Sequence, residues 1–384
     1  MPPGGPPLRW RAVRHLTDRF DRAAAAARDF LDTTMTIPSA SRNAIAAHRA
    51  RERKRWRYVL LFLLITAVSL VFDIATGPSM LSPSEVIRSL TGLGERAAMT
   101  DAIVRELRLP MALMALVVGA ALGAGGAQMQ TLLNNPMASP YTLGMAAAAG
   151  FGAALSLAFG GFGLNPMFAV PIGAFLFSMI AALFLFMLAS MRRVRTETII
   201  LGGIALLFLF QSLLSLIQFL SAPELSQQIL FWLFGSLTKA TWPTLILTAV
   251  VTLVCCLLLL ADSWQLAALR MGETRARSLG VNVRRLRMKV LVIVAVMTAT
   301  ATSFVGVIGF IGLVAPHIAR MVVGEDQRFS LPMSVLSGAM MLSAASVLSK
   351  SIVPGALFPV GIVTAIVGVP FLLWLIFAPR RSAL

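Results

Sequence analysis

Residues 109–131 read LPMALMALVVGAALGAGGAQMQT, a run without one charged side chain. Wound as an α-helix at about 1.5 Å per residue, a run of this length crosses a hydrocarbon core about 30 Å thick. A helix also pairs its own backbone N–H and C=O groups, which lipid cannot do for it. A strand of a transmembrane barrel would instead alternate polar and apolar positions over about 10 residues, and this run does not alternate. The bilayer is therefore the solvent for which the stretch is built.

The same texture recurs to either side. Apolar runs fall at 58–76, 109–131, 142–160, 168–190, 198–220, 242–261, 288–308, 310–323, 331–350 and 358–378, separated by polar or Pro/Gly punctuation. Hydrophobic residues make up 58% of the 384-residue chain and charged ones 13%, and the mean hydropathy is +0.83. An ordinary soluble domain carries about 25% charged residues. The expectation is an all-α membrane protein of about ten transmembrane helices. The eighth run is too short to span alone and follows the glycine-rich Gly306–Gly312, which predicts a broken or partly inserted helix surrounded by protein or a watery cavity.

Basic residues near helix ends stay on the cytoplasmic side. With ten spans and the N-terminus inside, the cytoplasmic segments take the first 57 residues, Arg192–Arg195, the 262–289 loop, Arg320–Arg328, and Arg380 with Arg381. The whole formal charge of +17 then lies on that face. Adding or deleting one span would spoil this asymmetry, so the charge supports both the count and an N-in, C-in topology. It also explains a basic balance that would suggest nucleic acid in a soluble chain.

Residues 1–57 form a separate basic zone, a cytoplasmic extension ahead of a membrane domain at 58–380. Its polar part is too long for a secretory signal. Phe20, Ala24, Ala27 and Leu31 have helical spacing, compatible with a surface amphipathic helix or a plain polar tail. Cys255 and Cys256 are adjacent in an apolar run, and no disulfide or metal framework is available to them.

Several function classes drop out. No Gly-x-x-x-x-Gly-Lys-Ser/Thr loop is present to cradle nucleotide phosphates, so this chain is not expected to hydrolyse ATP, and no catalytic residues, metal site or cofactor are expected. The span interiors hold almost none of the ionisable groups that ion-coupled carriers use. His317, beside Pro316, is the nearest exception. What remains is a subunit powered from elsewhere, with an ion-coupled secondary carrier as the alternative. The 262–289 loop supports the first reading, because a small-residue helix bounded by Gly272 and Gly280 and flanked by arginines suits docking into a partner's groove.

Three segments combine into a pattern. The first is Arg108-Leu109-Pro110 with Gly125-Gly126, Gln128, Gln130 and Asn135-Pro136-Met137-Ala138-Ser139-Pro140. The second surrounds Gly272-Glu273 and Leu279-Gly280-Val281. The third is Gly309 to Arg320, followed by Pro359-Val360-Gly361 and Gly368-Val369-Pro370. In order and spacing they resemble the FecCD, or type II, ABC importer permeases for iron siderophores, haem and cobalamin, across residues 58–380.

The resemblance implies a permease in the bacterial inner membrane, multi-pass and without nucleic acid as a partner. It implies a second permease subunit, identical or homologous, two cytoplasmic ATPase subunits and a periplasmic substrate-binding protein. The cargo it implies is an iron chelate, a ferric siderophore first, with haem or cobalamin as alternatives. It places binding-protein docking at Arg108, and at Lys350, nine residues before Pro359. Where the family often has a second arginine after the proline, this chain has Met111, and Arg105 one turn upstream is a substitute. The family's frequent aspartate four residues before the Lys350 position is Ser346 here. The resemblance also places a cytoplasmic gate at Asn135, Met137, Thr196 and Glu197. Coupling to the ATPase falls to Gly272, Glu273, Arg275, Ala276, Arg277, Leu279 and Gly280.

Overall fold

The computed structural model describes residues 22–23, 25–26, 39–77, 81–92, 98–191, 194–352 and 358–377. The chain divides into two units, Met1–Trp56 and Arg57–Leu384. Phe20, Ala24, Ala27, Leu31, Arg192, Arg193, Arg380 and Arg381 lie outside the described residues.

Among the described residues the structure is helical, with no strand. Helix α1 runs Ser39–Ala75, α2 Pro83–Thr91 and α3 Ala98–Ala102. A π-helical turn, Ile103–Arg108, leads into α4, Leu109–Leu132. Then come α5 Met145–Ala158, α6 Pro166–Ser190, α7 Thr196–Leu220, α8 Pro223–Leu233 and α9 Trp242–Ala261. The rest are α10 Ser263–Arg270, α11 Glu273–Ser278, α12 Val283–Val305, α13 Ile311–Val323, α14 Gln327–Ser351 and α15 Val360–Phe377.

Among the described residues seven helices are long and apolar enough to cross a membrane, and shorter apolar helices, α5, α13 and most of α15, stand at the other three expected positions. Two of those three runs were expected to span in full. The third is cut short because Asn134 and Gly144 take positive φ values of 43° and 82°, so residues 133–144 fold as turns, and Gly160, Gly161 and Gly163 close its far end. The tenth helix starts only after Pro359. The eighth is broken where expected: Gly306 and Phe310, at φ 78° and 66°, turn the chain between α12 and α13. Phe310 is the costly one, since positive φ crowds a Cβ.

Helix α4 is the hub. Its small-residue face touches α14 and α13 so closely that a Cβ on Gly119 would collide with the Gly338 carbonyl, and one on Gly126 with the Gly312 carbonyl. In lipid no hydrophobic effect draws helices together, so close van der Waals contact through small residues must hold them. The main core joins α4 to α12 through Met114, Met129, Val290, Val294 and Met297. Leu residues of α7 and α9, such as Leu201, Leu209, Leu247 and Leu253, stay exposed, as lipid-facing positions should.

Helix α2 opens with a capping box in which the Ser82 hydroxyl accepts from the Glu85 N–H and Glu85 accepts from the Ser82 N–H. Those bonds from Ser82 hold the Glu85 carboxyl below the usual carboxylate range.

Candidate functional site

At one end of the bundle, cations close the C-terminus of α1. The last four carbonyls of a helix lack helical partners and carry partial negative charge. Arg108 donates to the Ile74 and Ala75 carbonyls at 3.0 and 2.8 Å, and Lys350 to the Asp73 carbonyl at 2.9 Å. Lys350 also pairs with Asp73 Oδ1 at 2.7 Å, which accepts from Ser346 Oγ at 2.7 Å. Asp73, Ser346, Arg108 and Lys350 are all buried.

The expected docking residues therefore divide. Arg108 and Lys350 turn inward onto α1 and are buried within this chain. Arg105 remains exposed while donating to the Ser89 carbonyl at 3.1 Å. Ser346, the position where the resemblance expects an aspartate, donates instead to Asp73 of α1, a residue the motif reading passed over. Its signal was present: Asp73 is the one acid inside the first apolar run.

At the other end, α10 and α11 form the loop between α9 and α12. Gly272 and Gly280, at φ 105° and 83°, bound α11 in conformations that suit glycine. Glu273 bridges two arginines, Arg277 Nη2 at 3.1 Å and the buried Arg287, which also donates to it. Ala276 is fully buried and joins α11 to the main core, to which Leu266, Val281 and Leu286 also belong. It is thus a foot for the helix, not part of the face open to a partner. Arg275, Arg277 and Leu279 are exposed on that face. Lys289 and Asp262 tie the base of the loop at 2.7 Å.

Asn135 and Met137 share one turn, in which Asn135 Oδ1 accepts the Met137 N–H at 2.9 Å. Thr196 and Glu197 open α7, where a carboxylate favours the helix N-terminus. Gln130 Nε2 donates to the Leu313 carbonyl at 3.3 Å, linking the end of α4 to the start of α13. His317 stands edge-on to Phe371, ring centres 6.3 Å apart, a packing position. A cavity of about 260 Å³ beside the α12–α13 break is lined by Tyr141, Phe234, Val307, Phe310, Gly361 and Ala365. No cluster of metal-ligating side chains occurs among the described residues.

Residues 63–378 match the FecCD transport family. The chain belongs to that family. It is 36% identical to the hemin transport system permease protein of Yersinia pestis over 85% of this chain and 97% of the relative. With the Fe(3+)-citrate import system permease protein of Bacillus subtilis it shares 32% identity, over 86% and 98%. Matched relatives also include permeases named for vitamin B12 and molybdate. A solved inward-facing structure described as a metal-chelate type ABC transporter superposes with a TM-score of 0.75 at 28% identity, covering 84% of this chain and 99% of that one. This FecCD member is accordingly a multi-pass inner-membrane ABC importer permease, with permease and ATPase subunits as its partners.

Proposed function

We propose that this chain carries an iron chelate, a ferric siderophore, inward across the membrane as one of two permease subunits. Two ATPase subunits drive it from the cytoplasm and a periplasmic binding protein feeds it. The observation that carries the reading is the family match over 63–378, which spans the α1 clamp, the broken helix and the α11 loop. Iron is favoured by the ferric-citrate relative and by the Asn135–Gly144 stretch, which resembles siderophore-type members. Haem is the second reading, on the strength of the 36% identical hemin permease.

Under the N-in topology, the α1 clamp faces the periplasm and α11 the cytoplasm. ATP binding and hydrolysis in the partner push α11 through its exposed face, Arg275, Arg277 and Leu279, while Glu273 and Ala276 transmit that push to α12 and the core. The turn at Asn135 and Met137 and the start of α7 at Thr196 and Glu197 form the inner gate. Arg105 offers a carboxylate contact to the binding protein, and Arg108 and Lys350 hold in place the helix ends from which it projects. No covalent chemistry is required of this chain.

Reconstituted vesicles test the reading. Uptake of radiolabelled ferric siderophore is expected only with the ATPase and ATP present, and uptake without an ATPase subunit would overturn it. Haem uptake in place of siderophore uptake selects the second reading.

A further inference from the structure

A second cavity, of about 250 Å³, lies where the turn after α4 meets the ends of α10 and α13. Gln130, Asn134 and Asn135 line it from the first side, and Arg270, Arg320 and Glu325 from the other. Apart from Pro136 its wall is polar or charged. Two guanidiniums face one carboxylate, and only one of them pairs with it: Arg270 takes Glu325 at 2.7 Å and donates to the Glu325 carbonyl at 2.9 Å. Arg320, half-buried, has no side-chain hydrogen bond or ion pair among the described residues, although its fork offers five N–H donors. Gln130 is buried and its Oε1 has no hydrogen-bond partner, its amide being spent on the α13 carbonyls. The lining thus carries two guanidiniums against one carboxylate, a positive charge in excess, with an unused acceptor buried in the wall behind it.

A planar fork of this kind matches carboxylate and phosphate oxygens two at a time. We infer that this cavity is an oxyanion site at the inner mouth of the permease, where Arg320 takes a carboxylate or phosphate group of the departing chelate. The site adjoins the Asn135 turn, so its occupancy bears on the gate from the cytoplasmic side. A largely polar wall suits a free oxyanion better than a lipid, whose headgroup would bring acyl chains with it.

The cargo assignment rests on the importer reading above, whereas the site itself does not. Citrate and inorganic phosphate are the probes, titrated calorimetrically at low salt into the full-length chain in detergent. Saturable binding is expected, weakened about tenfold in Arg320→Gln and partly kept in Arg320→Lys. Asn134→Asp sets a carboxylate on the exposed turn without touching the core, and asparagine and aspartate both tolerate its positive φ. It should weaken binding comparably even if Arg320→Gln folds poorly. Unchanged binding in Arg320→Gln and Asn134→Asp would overturn the site. Displacement of citrate by phosphatidylglycerol in nanodiscs would assign the oxyanion to lipid and overturn the chelate as its source. Failure of the chain to associate with an ATPase, with citrate still bound, would overturn the importer reading alone.

Discussion

Lys350 Nζ stands 2.7 Å from Asp73 Oδ1 and 2.9 Å from the Asp73 carbonyl oxygen, with both residues buried. The lysine therefore neutralises a carboxylate and caps a helix at once, joining α14 to α1. Removing one partner of a buried pair leaves the other charged and unpaired, at a cost of about 3–5 kcal/mol. Lys350→Met should lower the melting temperature sharply in detergent, while Lys350→Met with Asp73→Asn should regain most of it. Equal melting of the single and double variants would show that the pair is not coupled.

Helix α4 should tolerate no added bulk on its glycine face. Gly119→Val places a methyl-bearing Cβ into the Gly338 carbonyl, and overpacking of this kind costs about 1–3 kcal/mol. Gly126→Val meets the Gly312 carbonyl in the same way. Thermal unfolding of both variants checks the contact, and a wild-type transition in either would contradict it.

How far this fold could be read beforehand depended on what each residue asks of its surroundings. Ten apolar runs were legible because lipid imposes length and composition on every span, and the break before Ile311 showed in Gly306–Gly312. The shortness of α5 did not show, because Asn134 and Gly144 bend the chain through backbone angles that hydropathy ignores. At the α1 clamp, spacing located Arg108 and Lys350 but not their partners. Asp73 lies 277 positions from Lys350, and that separation in sequence carries no local pattern. The α11 loop was legible as a helix between two glycines. Its inward grip through Arg287 was not, since a basic residue near a span end reads equally well as a topology signal.

The two arginines on Glu273 should differ in worth. Arg277 lies on the surface, where an ion pair contributes about 0–1 kcal/mol, whereas Arg287 is buried beneath α11. Arg287→Ala should destabilise the loop and uncouple ATP hydrolysis from uptake. Arg277→Ala should leave stability near wild type and weaken only ATPase association. Melting curves and copurification with the ATPase separate these outcomes. Equal melting losses in the two variants would mean that burial does not distinguish the pairs.

Charge reversal separates docking from architecture at the other end. Arg105 is exposed, and Arg105→Glu should weaken binding-protein association most strongly at low salt, since a rim charge acts through long-range attraction that ions screen. Arg108→Glu is a different change, because it sets a carboxylate against the Ile74 and Ala75 carbonyls, which now need donors and receive repulsion instead. That variant should lose thermal stability first, and any loss of association should follow the loss of folded protein. Binding-protein titrations at two ionic strengths, set beside melting curves of the same preparations, decide between the roles. If Arg108→Glu melts like wild type yet no longer binds, the arginine docks a partner after all. If Arg105→Glu binds normally at low salt, the contact proposed for it does not exist.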